Sequence, residues 1–270
     1  MDLDLSRYYE SGKYKSPSQI ARVITERWVK DNLYCPVCGR SLLQYRAGMP
    51  VYDFYCEHLD ERIIVLTKNF VSDAENFQLK SQKNHLSRYV LGAAYSMTVS
   101  SLKAGTYPSL ILLCYNANNI VTDVELIHKL AITISCIKPR KPLSKNARRS
   151  GWQGYNIDLH EIPNIGRIEI IKSREIKQKT CVMAEWKNVS KILLGNLSER
   201  GWTADVIKCL EKLPTTFTSK DAYKFEERLR ELHPQNKHIR DKIRQQLQIL
   251  RDRNFIKFES PGVYVKSEKS

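Results

Sequence analysis

The sequence contains no apolar run approaching the roughly 20 residues that a bilayer-spanning helix needs, which argues against a membrane protein. At Met1-Asp2-Leu3-Asp4-Leu5 there is no basic segment followed by an apolar stretch, so no secretory signal is read there and a cytoplasmic location is expected. A disulfide framework is missing too. The 7 cysteines are an odd number, and Cys114, Cys136, Cys181 and Cys209 are scattered mostly through apolar runs, where they read as buried thiols. Acidic residues are in deficit, 29 against 44 lysines and arginines, leaving a formal charge of +15. Such an excess favours a polyanionic partner. Because no segment has the broad apolar face of a surface anchor, nucleic acid fits better than an anionic membrane.

What is present suits two folded domains. At 270 residues the chain can bury two cores, and 42% hydrophobic residues with 14 tyrosines exclude a mainly disordered chain. Ile20, Val23, Ile24 and Trp28 recur at helical spacing and predict a helix over 17–32, with Ser16 as cap, Pro17 in the first turn and Asp31-Asn32 at the exit. Residues 51–55 and 76–80 read as short strands, 85–103 as a helix, and 109–115 as a strand covered on both faces. Residues 167–172 add another strand, so the first part reads as α/β. The stretch 138–154 is the most basic in the chain and carries proline, glycine and Trp152, so a loop or arm is expected; 173–197 reads as a connector. From Trp202 the pattern changes to helices over 203–213, 219–232 and 237–253, then a hairpin of 255–258 and 263–266 around Ser260-Pro261-Gly262. That order predicts a winged helix. On its third helix Ile239, Ile243, Leu247 and Leu250 form the buried stripe, leaving Lys237, Arg240, Arg244 and Gln248 on an adjoining face suited to DNA.

Hydrolysis of a phosphodiester needs a divalent cation, oxygen ligands to hold it and a cation near the attacking water. Asp53, Gln78 and Lys80 could supply these. Alternation along Gln78-Leu79-Lys80 puts both polar side chains on one strand face and leaves the Leu79 carbonyl as a further Mg²⁺ ligand. By itself the pattern fits a solvated strand edge as well.

Several longer motifs extend it: Pro50-Val51-Tyr52-Asp53-Phe54-Tyr55-Cys56, Phe77-Gln78-Leu79-Lys80-Ser81, Lys141-Pro142-Leu143, Ala147-Arg148-Arg149-Ser150-Gly151-Trp152, Asn156-Ile157-Asp158-Leu159, and the run from Lys242 to Asp252. In this order they resemble the DpnI-type methyl-directed restriction endonucleases, nearly end to end, interrupted by extra residues at about 57–75 and a divergent 173–197. The resemblance implies a PD-(D/E)xK restriction-endonuclease-like domain over 1–197 with a zinc knuckle and a basic arm, followed by a winged-helix domain over 198–270. It implies Mg²⁺-dependent cutting of double-stranded DNA at GATC carrying methylated adenine. Asp53 matches the family's first metal-binding acid and Lys80 its lysine, while Gln78 stands where the family has glutamate. An amide oxygen can coordinate Mg²⁺ but removes one negative charge.

The resemblance also implies a structural Zn²⁺ held by two Cys-x-x-Cys pairs. Here Cys35 and Cys38 form the first pair, but the second reads Cys56-Glu57-His58-Leu59, which leaves His58 as the candidate fourth ligand. Glu26, an acid on the first helix, is a further candidate for the active site; His85 and His128 read as ordinary.

Methylated adenine keeps one N–H in the major groove and gains an apolar group, so its reader needs an apolar surface and cannot require the lost hydrogen. Trp152 is the candidate in the arm, with Arg148 and Arg149 beside it for guanine or phosphate. One methyl is worth only about 1 kcal/mol by burial, so two readers in sequence multiply modest preferences. In the winged helix Arg240 and Arg244 suit guanine or phosphate, Lys237 the backbone, and Gln245 and Gln248 adenine. A monomer is expected in the free state. The rival readings are a methyl-DNA reader that no longer cuts, and a transcription factor using only the winged helix.

Overall fold

Seven consecutive residues without a polar face, Ser109-Leu110-Ile111-Leu112-Leu113-Cys114-Tyr115, form a strand buried at every position. It lies near the centre of the larger of three sheets in this computed structural model, which describes residues 1–10, 16–45, 52–59, 61–69, 88–92, 94–195 and 197–267. The chain clusters into two compact units. The first comprises Met1–Ser87, Pro108–Lys129 and Ile168–Lys187; the second comprises Arg88–Tyr107, Leu130–Arg167 and Asn188–Ser270. No helix of the described residues is long and apolar enough to cross a membrane.

The first unit begins with α1 (Pro17–Asn32), in which proline occupies the first turn. The Ser16 hydroxyl pairs with that of Ser18 and makes no cap bond. Ile24, Thr25, Trp28 and Val29 are its buried face. The strands β1 (Leu43–Gln44), β2 (Phe54–Tyr55) and β3 (Arg62–Asn69) lead to the second unit's β4 (Tyr89–Gly92) and α2 (Tyr95–Ala104), then β5 (Ser109–Tyr115) and β6 (Val121–Ile127). Of the predicted strand over 51–55, only Phe54–Tyr55 is strand among the described residues. The predicted helix over 85–103 is corrected: Tyr89–Gly92 is strand and the helix starts at Tyr95, because alternation of Val90 inward with Tyr89 and Leu91 outward satisfies a sheet.

Next come β7 (Ile137–Pro139) and β8 (Tyr155–Asp158) in the second unit, then β9 (Arg167–Lys172) and β10 (Glu175–Ile176). The large sheet runs β1-β2-β3-β5-β6-β9-β10, with β3 and β5 parallel and β5 antiparallel to β6. Extra residues near 57–75 therefore contribute a central strand, β3. A buried bridge stands where β3 and β5 begin: Ser109 Oγ donates to Glu61 Oε1 at 2.6 Å, and Lys129 Nζ lies 2.8 Å from Glu61 Oε2.

The supposed connector over 173–197 is also corrected: it holds β10 and α3 (Lys179–Leu193). Val182, Trp186, Val189 and Leu193, all buried, recur at helical spacing along α3. His128 packs on Trp186 with ring centroids 4.0 Å apart, and burial lowers its pKa to about 3.

In the second unit β4, β8 and β7 form an antiparallel sheet. Gly92 faces the Tyr155 ring so closely that a Cβ would meet it at 2.1 Å, which explains the glycine. Arg88 grips the fully buried Asp158 with Nε 3.1 Å from each carboxylate oxygen. The same unit holds α4 (Leu197–Leu210), β11 (Thr216–Thr218), α5 (Ser219–Tyr223), α6 (Glu226–Leu232), α7 (Ile239–Asp252), β12 (Ile256–Ser260) and β13 (Val263–Lys266), a winged helix with its sheet ordered β11-β13-β12. The single helix expected over 219–232 is broken at Lys224 and Phe225. Ile239, Ile243, Leu247 and Leu250 are all buried, each contributing about 1.5–3 kcal/mol by leaving water. Asp205 is a polar hub here, accepting from Thr133 and Ser135 hydroxyls at 3.1 and 2.9 Å, with His233 Nε2 3.0 Å away.

Candidate functional site

Asp53 stands just before β2, where backbone pairing fixes it from both sides. Tyr45 N–H donates to its carbonyl at 2.9 Å, and its own N–H donates to Ile63 at 3.0 Å. The carboxylate is partly buried, and Val65 N–H of β3 donates to Oδ2 at 2.7 Å. Burial raises its pKa, offset in part by that N–H and by the charge of Arg22.

Glu26, on α1, shares this environment. Burial raises its pKa, Arg22 opposes the shift and the negative charge of Asp53 adds to it. Arg22 Nε lies 3.2 Å from Glu26 Oε1, one helical turn away, and Gln44 Nε2 of β1 donates to Oε2 at 3.0 Å. Two carboxylates that each resist ionisation, within electrostatic reach of one another, have the donor chemistry of a hard divalent cation site. Arg22 and Gln44 were not singled out from the sequence; the Arg22–Glu26 spacing of four was the available signal. Gln78, Leu79 and Lys80 lie outside the described residues, as do Val51 and His85.

Cys35, Cys38 and Cys56, the last of them three residues after Asp53 in sequence, come together. Their sulfurs all lie within 4.8 Å of one another, with Cys38 Sγ 3.6 Å from Cys56 Sγ. The 35–40 loop closes through Gly39 N–H to Cys35 O and Cys35 N–H to Arg40 O, both 2.8 Å, with Gly39 at φ +73°. Burial pushes the Cys35 thiol up to about 12, so it ionises at neutral pH only with a cation beside it. This donor set could hold zinc. His58, expected as fourth ligand, is not brought into the cluster: it is exposed and its Nε2 lies 2.7 Å from an Arg40 guanidinium nitrogen.

The basic arm belongs to the second unit. It leaves β7 and returns to β8 as an irregular hairpin, tied by Arg140 N–H to Gly154 O at 2.9 Å. Further out, Leu143 N–H donates to Trp152 O and Gly151 N–H donates to Leu143 O, at 2.9 and 3.2 Å. Two residues thus oppose one, a β-bulge whose first residue, Gly151, has φ +76°. Nothing crowds Gly151, so its backbone angle and not space explains the glycine. The bulge holds Trp152, 36% exposed, opposite Leu143, 42% exposed, while Arg148 and Arg149 are exposed beside them.

On the winged helix Lys237, Arg240, Arg244, Gln245 and Gln248 are all exposed. Arg240 is engaged within the domain, its Nε 2.5 Å from Glu226 Oε2, and Gln245 accepts from Lys242 Nζ at 2.8 Å. Buried Gln246, two residues before the exposed Gln248, accepts from Thr203 Oγ1 at 2.8 Å and pins α7 against α4.

Two family models match this sequence. A family model described as the Dam-replacing family matches residues 1–194, and one described as a Dam-replacing HTH domain matches 198–266. The mixed α/β fold, the cysteine cluster and the winged helix thus accompany matches over almost the whole chain, and the protein belongs to the DpnI, or Dam-replacing, family.

Proposed function

We propose that this protein is a methyl-directed type II restriction endonuclease that hydrolyses double-stranded DNA at GATC sites carrying methylated adenine, with Mg²⁺ as cofactor. DpnI-family membership supports a methyl-directed restriction enzyme. The observation that carries the nuclease reading is the Asp53–Glu26 pair, two partly buried carboxylates with raised pKa values. Asp53 and Glu26 would hold the ion, together with the Gln78 amide oxygen and the Leu79 carbonyl of the family's motif. Bound there, Mg²⁺ neutralises charge developing on the scissile phosphate. The Val65 N–H fixes the Asp53 carboxylate, and Arg22 keeps Glu26 directed along α1. Lys80 is assigned to orienting the attacking water.

Recognition is assigned to two surfaces. Trp152 supplies the apolar face for the methyl group, with Arg148 and Arg149 on guanine or phosphate. Arg240, Arg244, Gln245 and Gln248 address the second site, and Lys237 the backbone. A structural Zn²⁺ in the cysteine cluster and a monomeric free protein complete the proposal.

Incubation with methylated and unmethylated GATC plasmid, with and without Mg²⁺, tests it. Cutting confined to methylated DNA with Mg²⁺ supports the endonuclease, and methyl-independent binding without cutting would sink it. The rival, a methyl-DNA reader with an impaired centre, is favoured by one observation. The β3 residues hydrogen-bonded to Asp53 are Ile63 and Val65, neither of which carries a carboxylate. Methyl-dependent binding without cleavage would select that reading.

A further inference from the structure

The cysteine cluster has three sulfurs where a closed tetrahedral site needs four donors. Among the described residues no other histidine, cysteine, aspartate or glutamate joins Cys35, Cys38 and Cys56. The segment that would be expected to supply the missing donor is turned outward. Glu57, His58 and Leu59 are all exposed, His58 is engaged by Arg40, and Leu59, 40% exposed, sits three residues after Cys56. That turn is nonetheless well formed, with Leu59 N–H bonded to Cys56 O at 3.4 Å and Cys56 N–H to Glu61 O at 3.0 Å.

The cluster is also asymmetric in its access to water. Cys35 and Cys56 are buried, whereas Cys38 is only half-buried. Its surroundings are cationic as well. Arg40 acts electrostatically on Cys38, and Lys179 Nζ bonds the carbonyl of Gly39 next to it. Three thiolates and a divalent ion leave one net negative charge, which these two cations offset. A fourth thiolate would add a second.

From this geometry we propose that Cys35, Cys38 and Cys56 form a three-thiolate zinc centre whose fourth ligand is a solvent molecule, replaceable by a small thiolate. The proposal rests on the reading that the cluster takes zinc. It separates this knuckle from a closed structural site, since three protein ligands and one exchangeable position let the ion leave and let outside ligands enter. Because Cys56 stands three residues after Asp53, loading of the centre also steadies the strand that presents that carboxylate.

Replacing zinc with Co²⁺ in the full-length protein tests the assignment, because the absorption bands of Co²⁺ report how many sulfurs surround it. The expected spectrum is that of three sulfurs and one oxygen. It should be unchanged in His58→Ala and Glu57→Ala, both exposed positions that the fold tolerates. Added 2-mercaptoethanol should convert it to a four-sulfur spectrum. Leu59→Cys should show that spectrum without added thiol and should surrender its metal to a chelator at least about tenfold more slowly. A four-sulfur spectrum in the unmodified protein, or an altered one in His58→Ala, Glu57→Ala or a variant of the next acid in sequence, Asp60→Ala, would assign the vertex to the chain and overturn the proposal. Failure to bind Co²⁺ or Zn²⁺ at all would instead overturn the underlying zinc reading.

Discussion

At Asp53 and Glu26, two carboxylates sit partly buried with both pKa values raised, while on the Ile239–Asp252 helix Arg240, Arg244 and Arg251 are exposed, and Arg240 and Arg251 are engaged by neighbouring acids. The two regions treat charge in opposite ways. The acid pair is costly until a cation arrives, as expected for a centre whose ligand is an ion held by its own binding energy. The helix presents charge already hydrated or paired, so a polyanion can exchange those partners at small cost. Under the proposed function, frustrated charge marks the chemistry and relaxed charge the recognition surface.

Asp53→Asn should break this contrast most sharply. Removing the ligand charge should reduce cleavage by about a thousand-fold, equivalent to several kcal/mol of lost charge stabilisation, while methylated-DNA binding survives in a gel-shift assay. The same substitution should raise the melting temperature of the metal-free protein by about 1–3 °C, because the burial penalty disappears. A fall in that temperature would show that Asp53 holds the fold together instead of straining it. On the recognition side Leu247→Ala should cost about 2–5 kcal/mol, read by chemical denaturation of the winged helix, since Leu247 is fully buried.

Glu26→Gln should raise the Mg²⁺ concentration needed for half-maximal cleavage about 10–100-fold and leave DNA binding alone. An unchanged requirement would return Glu26 to the role of a surface acid. The pair also has a pH signature. Its carboxyls keep their protons to higher pH in the folded protein than in the unfolded chain, so metal-free stability falls as pH rises through the raised values. Added Mg²⁺, which needs both groups ionised, should stabilise more as pH rises.

His128 works in the reverse sense. Its folded pKa of about 3 lies below the ordinary 6.5, so the unfolded chain takes up more protons between those values. Stability should fall as pH drops from 6.5 towards 3, with a slope of up to about 1.4 kcal/mol per pH unit. His128→Gln should flatten that slope in acid denaturation, and an unchanged slope would put the acid sensitivity elsewhere.

How much of this was legible depends on distance along the chain. The winged helix was readable because its evidence is local: Ile239, Ile243, Leu247 and Leu250 declare a face within four turns, and Gly262, at φ +77°, marks its wing. The helix over 17–32 and the strands over 109–115 and 167–172 were readable for the same reason. The β3 strand was not. It falls in residues that interrupt the family resemblance, and its pairing with β5 joins segments about 45 residues apart. The candidate site was half legible. Asp53 and the cysteines announced themselves by type and spacing, but the approach of Arg22, Glu26 and Gln44 depends on helix packing that no local pattern states. The α3 helix is spelled by Val182, Trp186 and Val189, but the lysines spread through 173–197 and its weak overall periodicity point instead to a connector.

The triad of buried Glu61 and Ser109 with half-buried Lys129 has a bearing on the acid centre, although it contains none of the groups proposed to react. Glu61 and Ser109 set the alignment in which Ile63 faces Ser109 and every later pair follows. The N–H that holds the Asp53 carboxylate belongs to Val65, two residues along the same strand. A slip of one position would turn each side chain of that strand to the opposite face and offer Asp53 a different amide. The triad therefore acts as the index mark of a scale: disturbing it would move the reference point of Asp53, the proposed metal-binding acid, without touching the acid itself.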